Sequence, residues 1–252
     1  MLIAVMCVRN EEYHLPSFLN HIRDYVDGFV VLDDGSTDNT INILKNEEKM
    51  LKIIENPVTN KLNWDEDTNR IKLLKEAFKV SKDKENTWVI CCDPDERFEI
   101  RFLKRMKKYC QKETVKAYGL HFRELHNDKK HYRCDGIWDN KTKFILFPLK
   151  KNMNFDKVYL NKHHINWFYN DLIDKCELTE YNLYHLKMLK KEDRIKRMEL
   201  YNKIDPDKKM QPIGYDYLID ESGMQLRRIK FKNRYDYSKI PNDLKKLKIK
   251  DA

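Results

Sequence analysis

With 252 residues, 41% hydrophobic and 36% charged, the chain is long enough to bury a sizeable core under a heavily charged surface. It holds no apolar run near the roughly 18 residues of a membrane-crossing helix, and none of its six cysteines forms a Cys-x-x-Cys pair. That argues against zinc and for reduced, buried thiols in a cytosolic protein.

The net charge of +9 is uneven: Arg227 to Lys250 holds ten Lys or Arg against two Asp, a surplus of eight. Such a tail suits an anionic partner, whether nucleic acid, an acidic membrane surface or a phosphorylated acceptor; the plainer explanation is a solvated Lys-rich face.

Leu2 to Val8 reads as a first strand. Charge follows the apolar run at Arg9-Asn10-Glu11-Glu12, the reverse of a signal peptide. Pro16 suits a first helical turn, Phe18 and Ile22 repeat at helical spacing, and Asp27-Gly28 stops that helix. Phe29 to Leu32 is a buried strand ending in Asp33 and Asp34. A Gly35-Ser36 turn follows, and Thr37 or Asp38 caps a helix expected to run to about Met50. Leu51 to Glu55 is a third strand, Asp65 to Val80 an amphipathic helix, Trp88 to Cys92 a fourth strand and Ile100 to Tyr109 a helix. Alternating strands and helices predict a parallel α/β sheet over residues 1–110.

Beyond Cys110 the pattern changes. Val115 to Leu125, Tyr132 to Trp138 and Lys143 to Leu149 read as strands without helices between them, with a hairpin turn at Asp139-Asn140. Residues 111–186 form a second half of the same domain, with a last strand at Tyr181 to Leu186. Residues 187–252 form a basic helical extension that opens with an amphipathic helix, Met188 to Tyr201.

Polar groups gather at three strand ends: Arg9-Asn10-Glu11, Asp33-Asp34 and Asp93-Pro94-Asp95. Open α/β sheets bind ligands at that edge. Pro94 biases Asp93 towards an extended backbone, which turns the carboxylates of residues 93 and 95 to one side. Two such acids suit a hard divalent ion, Mg²⁺ or Mn²⁺, that also accepts phosphate oxygens. The plainer alternative makes Asp95 and Glu96 helix-start acids.

The stretches VRNEEYHLPSFLNHI, VVLDDGSTDNT, DTNRIKLLKEAF and WVICCDPDERFE together resemble glycosyltransferase family 2, over roughly the first 100 residues and in family order. The resemblance implies the GT-A fold, a Rossmann-like, mostly parallel sheet with a smaller antiparallel strand group. It implies an inverting glycosyltransferase of the hexosyltransferase type, moving a sugar from a nucleotide-diphosphate sugar to a hydroxyl on a glycan, lipid-linked glycan or protein. UDP is the commoner donor among look-alikes. In such an enzyme Val8, Asn10 and Glu11 line the base, and Asp33 or Asp34 reaches base or ribose. Arg70 approaches base or diphosphate, and Asp93 meets ribose or a metal-bound water. Asp95 binds Mn²⁺ or Mg²⁺ directly, and His185 completes the metal shell.

One family feature is missing. The Glu-Asp pair that often supplies the general base does not follow the second strand group at the expected distance; Glu192-Asp193 comes too late. Asp135, Asp139, Asp171 and His164 are the alternatives, with Asp135 preferred for its glycine neighbour. Trp167 and Tyr169 fit either an acceptor platform or a cover over the second strand group.

Two other functions compete. A nucleotidyltransferase would show a Gly-rich basic loop after the first strand, and this one has no glycine and two acids. A nucleic-acid-binding module would account for Arg228 to Tyr237 but leave three acidic strand ends unexplained. The expectation is therefore a cytosolic enzyme with no nucleic-acid partner, whose basic tail and Met188 helix dock on an anionic surface, either a membrane leaflet carrying a lipid-linked acceptor, in peripheral contact, or an acidic glycan.

Overall fold

The structure, a computed structural model, describes residues 1–59, 66–82, 86–111, 116–150 and 170–248, with the side chains of residues 66, 170, 171 and 173 also outside the description. Strands β1 (Leu2–Val8), β2 (Gly28–Asp33) and β4 (Thr87–Cys91) are buried from end to end. They read as unbroken apolar runs because a parallel sheet is covered on both faces. Helices α1 (Leu15–Ile22), α3 (Glu66–Val80) and α4 (Ile100–Tyr109) supply the cover, sending Phe18, Leu74 and Phe102 into the same core.

One eight-stranded sheet holds the molecule together. Its order is β3 (Met50–Glu55), β2, β1, β4, β8 (Thr142–Leu149), β6 (Ala117–Glu124), β9 (Cys176–His185), β5 (Glu96–Phe98). The first four run parallel, with Val8 beside Asp33 and Val5 beside Cys91, so the loops after them open on one edge. Strand β8 is antiparallel to β4 and to β6, β6 and β9 are parallel, and β5 is antiparallel to β9.

The sheet has to curl. Strands β4 and β5 are joined by residues 92–95, yet β8, β6 and β9 lie between them. Five residue steps reach at most about 18 Å, whereas four strand spacings in a flat sheet would need about 19 Å. The roll brings β5 and β9 back towards the end of β4. The Asp93-Pro94-Asp95 turn therefore lies where the β5 edge of the sheet folds back to the carboxyl end of β4.

Gly35 shows why the acidic turn after β2 needs glycine. Its φ is +77°, and a Cβ there would lie 2.8 Å from the Pro57 carbonyl oxygen and from Val58 Cα.

The α/β expectation holds, and several element limits move. Helix α2 is Thr40–Lys45 and stops well short of Met50. It starts where Asp38 Oδ1 accepts from the Thr40 N–H at 3.0 Å. Glu96 is a strand residue, so the helix-start reading of that acid fails. The expected Tyr132–Trp138 strand is only β7 (His131–Arg133), followed by a 3₁₀ turn at Gly136–Trp138. Strand β7 pairs with β10 (Leu226–Arg228) in a separate two-stranded sheet, so no hairpin joins it to β8. Helix α5 is Lys191–Ile204. Its buried residue is Arg194 while Leu200 is exposed, so it lacks the apolar face read from sequence.

Beyond α5 the described chain holds 3₁₀ turns and β10 rather than further α-helix. It is anchored all the same: Ile229, Tyr235, Ile240 and Leu244 pack with Leu125, Tyr184 and Leu186 in a second apolar cluster. None of the six cysteines is paired, and Cys7, Cys91 and Cys92 are buried. No helix among the described residues is long and apolar enough to cross a membrane.

Candidate active site

The site begins at two loops tied together by side chains. Asn10 adopts a φ of +56°. Its Oδ1 accepts from the Thr37 N–H at 2.8 Å, and its own N–H donates to Ser36 Oγ at 2.9 Å. The Glu11 N–H donates to Thr40 Oγ1 at 2.8 Å. Val8, buried at the end of β1, accepts from the Asp34 N–H at 2.9 Å. The loop after β1 is thus fastened to the loop after β2.

The two acids after β2 have different partners. Asp33 is buried, and its Oδ1 accepts from the Gly35 and Ser36 N–H groups at 3.1 and 2.8 Å. It holds the turn. Asp34 Oδ1 accepts from Asn56 Nδ2 at 2.7 Å and Asn69 Nδ2 at 3.1 Å, and Oδ2 lies 4.0 Å from Arg9. Its side chain keeps 17% of its surface exposed. Arg70, next to Asn69 on α3, is buried within electrostatic reach of Cys91.

The Asp93-Pro94-Asp95 turn forms the second half. Strand register sets Glu96 beside His185 and Glu124 beside His185, so three ionisable side chains share one row. His185 Nδ1 lies 2.6 Å from Glu124 Oε2, and its Nε2 lies 3.1 Å from Asp95 Oδ2. Lys187 Nζ is 3.6 Å from Asp95 and 3.4 Å from Glu11 Oε1. Asp93 Oδ2 accepts from Lys143 Nζ at 2.7 Å, and Glu96 accepts from the same ammonium. Residues from five segments therefore meet in one charged cluster: the loop after β1, the turn into β5, β6, β8 and the end of β9.

The charges in this cluster are set by burial working against close partners. Burial alone would raise the Asp95 carboxyl, but the charges of His185 and Lys187 hold it well below the ordinary range. Burial would lower His185, yet Glu124 and Asp95 carry it up to about 10. Glu124 falls to about 2, burial being outweighed by His185 and Lys141. Burial lifts Glu11 to about 7 against the pull of Lys187, with Asp95 and Asp93 adding to the rise. Burial also lifts Glu96 to about 7 despite Lys143. His14 sits nearby and is pushed down to about 3 by burial, so it is neutral.

A model of Glycosyl transferase family 2 matches residues 3–176. The chain belongs to that family. The match covers the GT-A arrangement of β1 to β4 with its acidic strand ends, and stops before His185 and Lys187.

Among solved structures the chain is similar to S. aureus TarS 1–349, with 13% identity and a TM-score of 0.48 over 87% of this chain and 69% of that one. A second TarS 1–349 structure, in complex with UDP, gives 14% identity and 0.46 over 87% and 70%. Glucosyl-3-phosphoglycerate synthase from Mycobacterium tuberculosis, in complex with Mn²⁺, UDP and glucosyl-3-phosphoglycerate, gives 17% identity and 0.37 over 49% and 44%. None of the curated proteins compared matches the chain.

The site residues read from the sequence divide into groups. Glu11, Asp93, Asp95 and His185 come together. Asn10, Asp33 and Asp34 build the neighbouring loops. Asp135 stands elsewhere, bridged by Arg133 at 2.9–3.1 Å and accepting from the Gln225 N–H. Burial is outweighed there by Arg133, and the carboxyl is held below its ordinary value. Asp139 lies 3.5 Å from Arg123. Asp171 falls in the 3₁₀ segment Asn170–Lys175, its side chain outside the described residues, and His164, Trp167 and Tyr169 also lie outside them.

Sequence reading missed Lys143, Lys187 and Glu124. Two signals pointed to the lysines, whereas Glu124 follows only from the register of β6 against β9. Lys187 is two residues beyond His185, the spacing that returns a side chain to the same face of an extended chain. Lys143 is a lone cation entering an apolar strand, a position that demands a partner.

Proposed function

We propose that this chain is an inverting, metal-assisted glycosyltransferase of the hexosyltransferase type, which moves a sugar from a nucleotide-diphosphate sugar, UDP-linked by preference, to a hydroxyl on a glycan, lipid-linked glycan or protein. The observation that carries the reading is the Glu124–His185–Asp95 line at the sheet edge where the family-matched strands end.

The line suits a divalent ion. Asp95 Oδ2 and His185 Nε2 lie 3.1 Å apart and share a proton; a small hard ion would take both as neighbouring ligands by displacing that proton. A carboxylate on the other ring nitrogen is the usual support of a ligating histidine, and Glu124 is that carboxylate. Among the described residues no three His, Cys, Asp or Glu groups converge on one point. Mg²⁺ and Mn²⁺ commonly use one or two protein carboxylates with substrate phosphates filling the rest. Asp95 and His185 would hold the ion, with Asp93 beside it, and the ion would supply Lewis-acid stabilisation of the departing diphosphate.

The protein's own groups do the remaining work. Lys187, held by Asp95 and Glu11, places a second positive charge beside the same carboxylate. Lys143 fixes Asp93 and Glu96 so that the turn keeps its shape. Asp34, the more exposed of the paired acids, is the one offered to base or ribose, and Val8, Asn10, Glu11 and Arg70 are the other residues proposed for the nucleotide. The acceptor hydroxyl needs a proton acceptor on the opposite face of the sugar, and Asp171, His164 and Asp135 are the residues proposed for it. Asp135 is the weakest of these as a base because Arg133 already bridges it.

A panel of nucleotide sugars with Mn²⁺, read by release of free nucleoside diphosphate, tests the activity. Steady release from one donor supports it. Release from none in a cooperatively folded protein counts against it.

Paired substitutions test the division of labour after β2. Asp33→Ala is expected to lower stability by about 1–3 kcal/mol, since two turn N–H groups lose their acceptor, with a smaller effect on donor affinity. Asp34→Ala is expected to do the reverse. Equal effects on melting and on nucleotide titration would contradict the assignment.

A further inference from the structure

Two basic segments about 130 residues apart in sequence meet on the surface. Helix α4 buries Phe102, Leu103 and Met106 and turns Lys104, Arg105, Lys107 and Lys108 outward. Arg227 to Arg234 reads Arg-Arg-Ile-Lys-Phe-Lys-Asn-Arg, five cations in eight residues and no acid. The segments are joined directly. The Ile100 N–H donates to the Arg234 carbonyl at 3.1 Å, and Arg101 Nη2 donates to Asn233 Oδ1 at 3.1 Å.

Some of these cations are engaged. Arg101 pairs with Glu99 and Glu180, Lys107 with Asp27, and Arg105 donates to the Tyr181 hydroxyl. Among the described residues, no ion pair neutralises Lys104, Lys108, Arg228, Lys230 or Lys232.

Phe231 stands in the middle of the basic run. Its side chain is 81% exposed, the highest value among the large apolar residues described. It is braced on one face: Arg234 stacks its guanidinium 3.6 Å from the ring centroid, and the segment is anchored by the buried Ile229 and Tyr235 on either side. An ordered, exposed ring ringed by unneutralised cations fits a surface with phosphates above and an apolar layer beneath. A soluble polyanion offers the charge but no apolar layer. Nucleic acid would ask for several stacking rings, and here Tyr235 is buried while Tyr237 packs edge-on against it at 4.7 Å.

We propose that the outer face of α4 and the Arg227–Arg234 segment form one docking surface for an anionic lipid bilayer, with Phe231 entering the headgroup region. This surface is independent of the donor site and does not rest on the reading of that site.

The test is co-sedimentation of the full chain with vesicles, either pure phosphatidylcholine or equal parts phosphatidylcholine and phosphatidylglycerol, at low and high salt. Retention on the anionic vesicles alone, lost at high salt, is expected. Reversing two charges together, Lys230→Glu with Lys232→Glu, is expected to weaken retention by about a hundredfold, each cation near such a surface being worth about fivefold and each reversal adding repulsion. Phe231→Ser is expected to weaken it by roughly tenfold with the salt dependence unchanged. All three sites are exposed, so melting should not move.

Failure to sediment with anionic vesicles at low salt would overturn the proposal. So would equal retention on neutral vesicles, or retention indifferent to charge reversal. Retention of a single-stranded oligonucleotide without retention of vesicles would also overturn it, in favour of a nucleic-acid surface.

Discussion

Asp95→Asn is expected to reduce sugar transfer on the order of a thousandfold and to remove the metal dependence of donor binding. The carboxylate is the donor that faces His185 Nε2 at 3.1 Å, and an amide offers a divalent ion only a neutral oxygen. Losing Lewis-acid stabilisation of the diphosphate amounts to several kcal/mol, and each 1.4 kcal/mol is about tenfold in rate.

The substitution should also lower the melting temperature. From sequence alone Asp95 looks like a solvent-facing acid at a strand end whose removal would spare the fold. In the structure it is buried against His185 and Lys187. Removing its charge leaves two cations close together with less compensation, the situation in which breaking a buried pair destabilises most. A variant that still requires Mn²⁺ and binds nucleotide as tightly as the parent would take Asp95 out of the ligand set.

Arg97→Ala is expected to have the largest effect on stability. Arg97 is fully buried, which pulls its guanidinium down to about 10. It joins three parts of the chain that are distant in sequence. Its Nη1 donates to the Pro94 and Glu96 carbonyls, its Nη2 to Ser17 Oγ at 2.6 Å, and its Nε to the Lys239 carbonyl. One side chain thereby ties the Asp93–Asp95 turn to α1 and to the C-terminal segment.

Truncation would strand those acceptors and open a cavity beside Phe18, a loss of about 3–5 kcal/mol. For a chain of this size that corresponds to roughly 10 °C in melting temperature. Limited proteolysis should then cut the C-terminal segment earlier than in the parent protein. Melting within a degree or two of the parent would show that the segment is held by its apolar contacts alone.

What the sequence made legible follows local physics. Strands β1, β2 and β4 are buried on both faces, so each is an apolar run that periodicity finds directly. Their acidic ends were legible because polar residues directly after a buried run need a reason to be there. Strand β7 and the absent hairpin were not legible. Tyr132 to Trp138 alternates well enough for a strand, but its pairing partner is β10, nearly a hundred residues later.

The site was half legible for the same reason. Asp93, Asp95 and His185 stand out by residue type. That Glu124 would sit behind His185 depends on the register of β6 against β9. That Lys143 would fix the Asp-x-Asp turn depends on β8 pairing beside β4. The charge count pointed to the C-terminal tail as a basic region, whereas the structure adds α4 to it through contacts that only the fold provides.

The most direct test of the metal-assisted transferase reading is calorimetric titration of UDP, GDP and dTDP into the full chain, with and without Mn²⁺, and again with Asp95→Asn. The reading predicts that one nucleotide binds, that binding requires the ion, and that the substitution removes it. Tight binding without the ion, unchanged in Asp95→Asn, would contradict the role assigned to the Asp95–His185 pair.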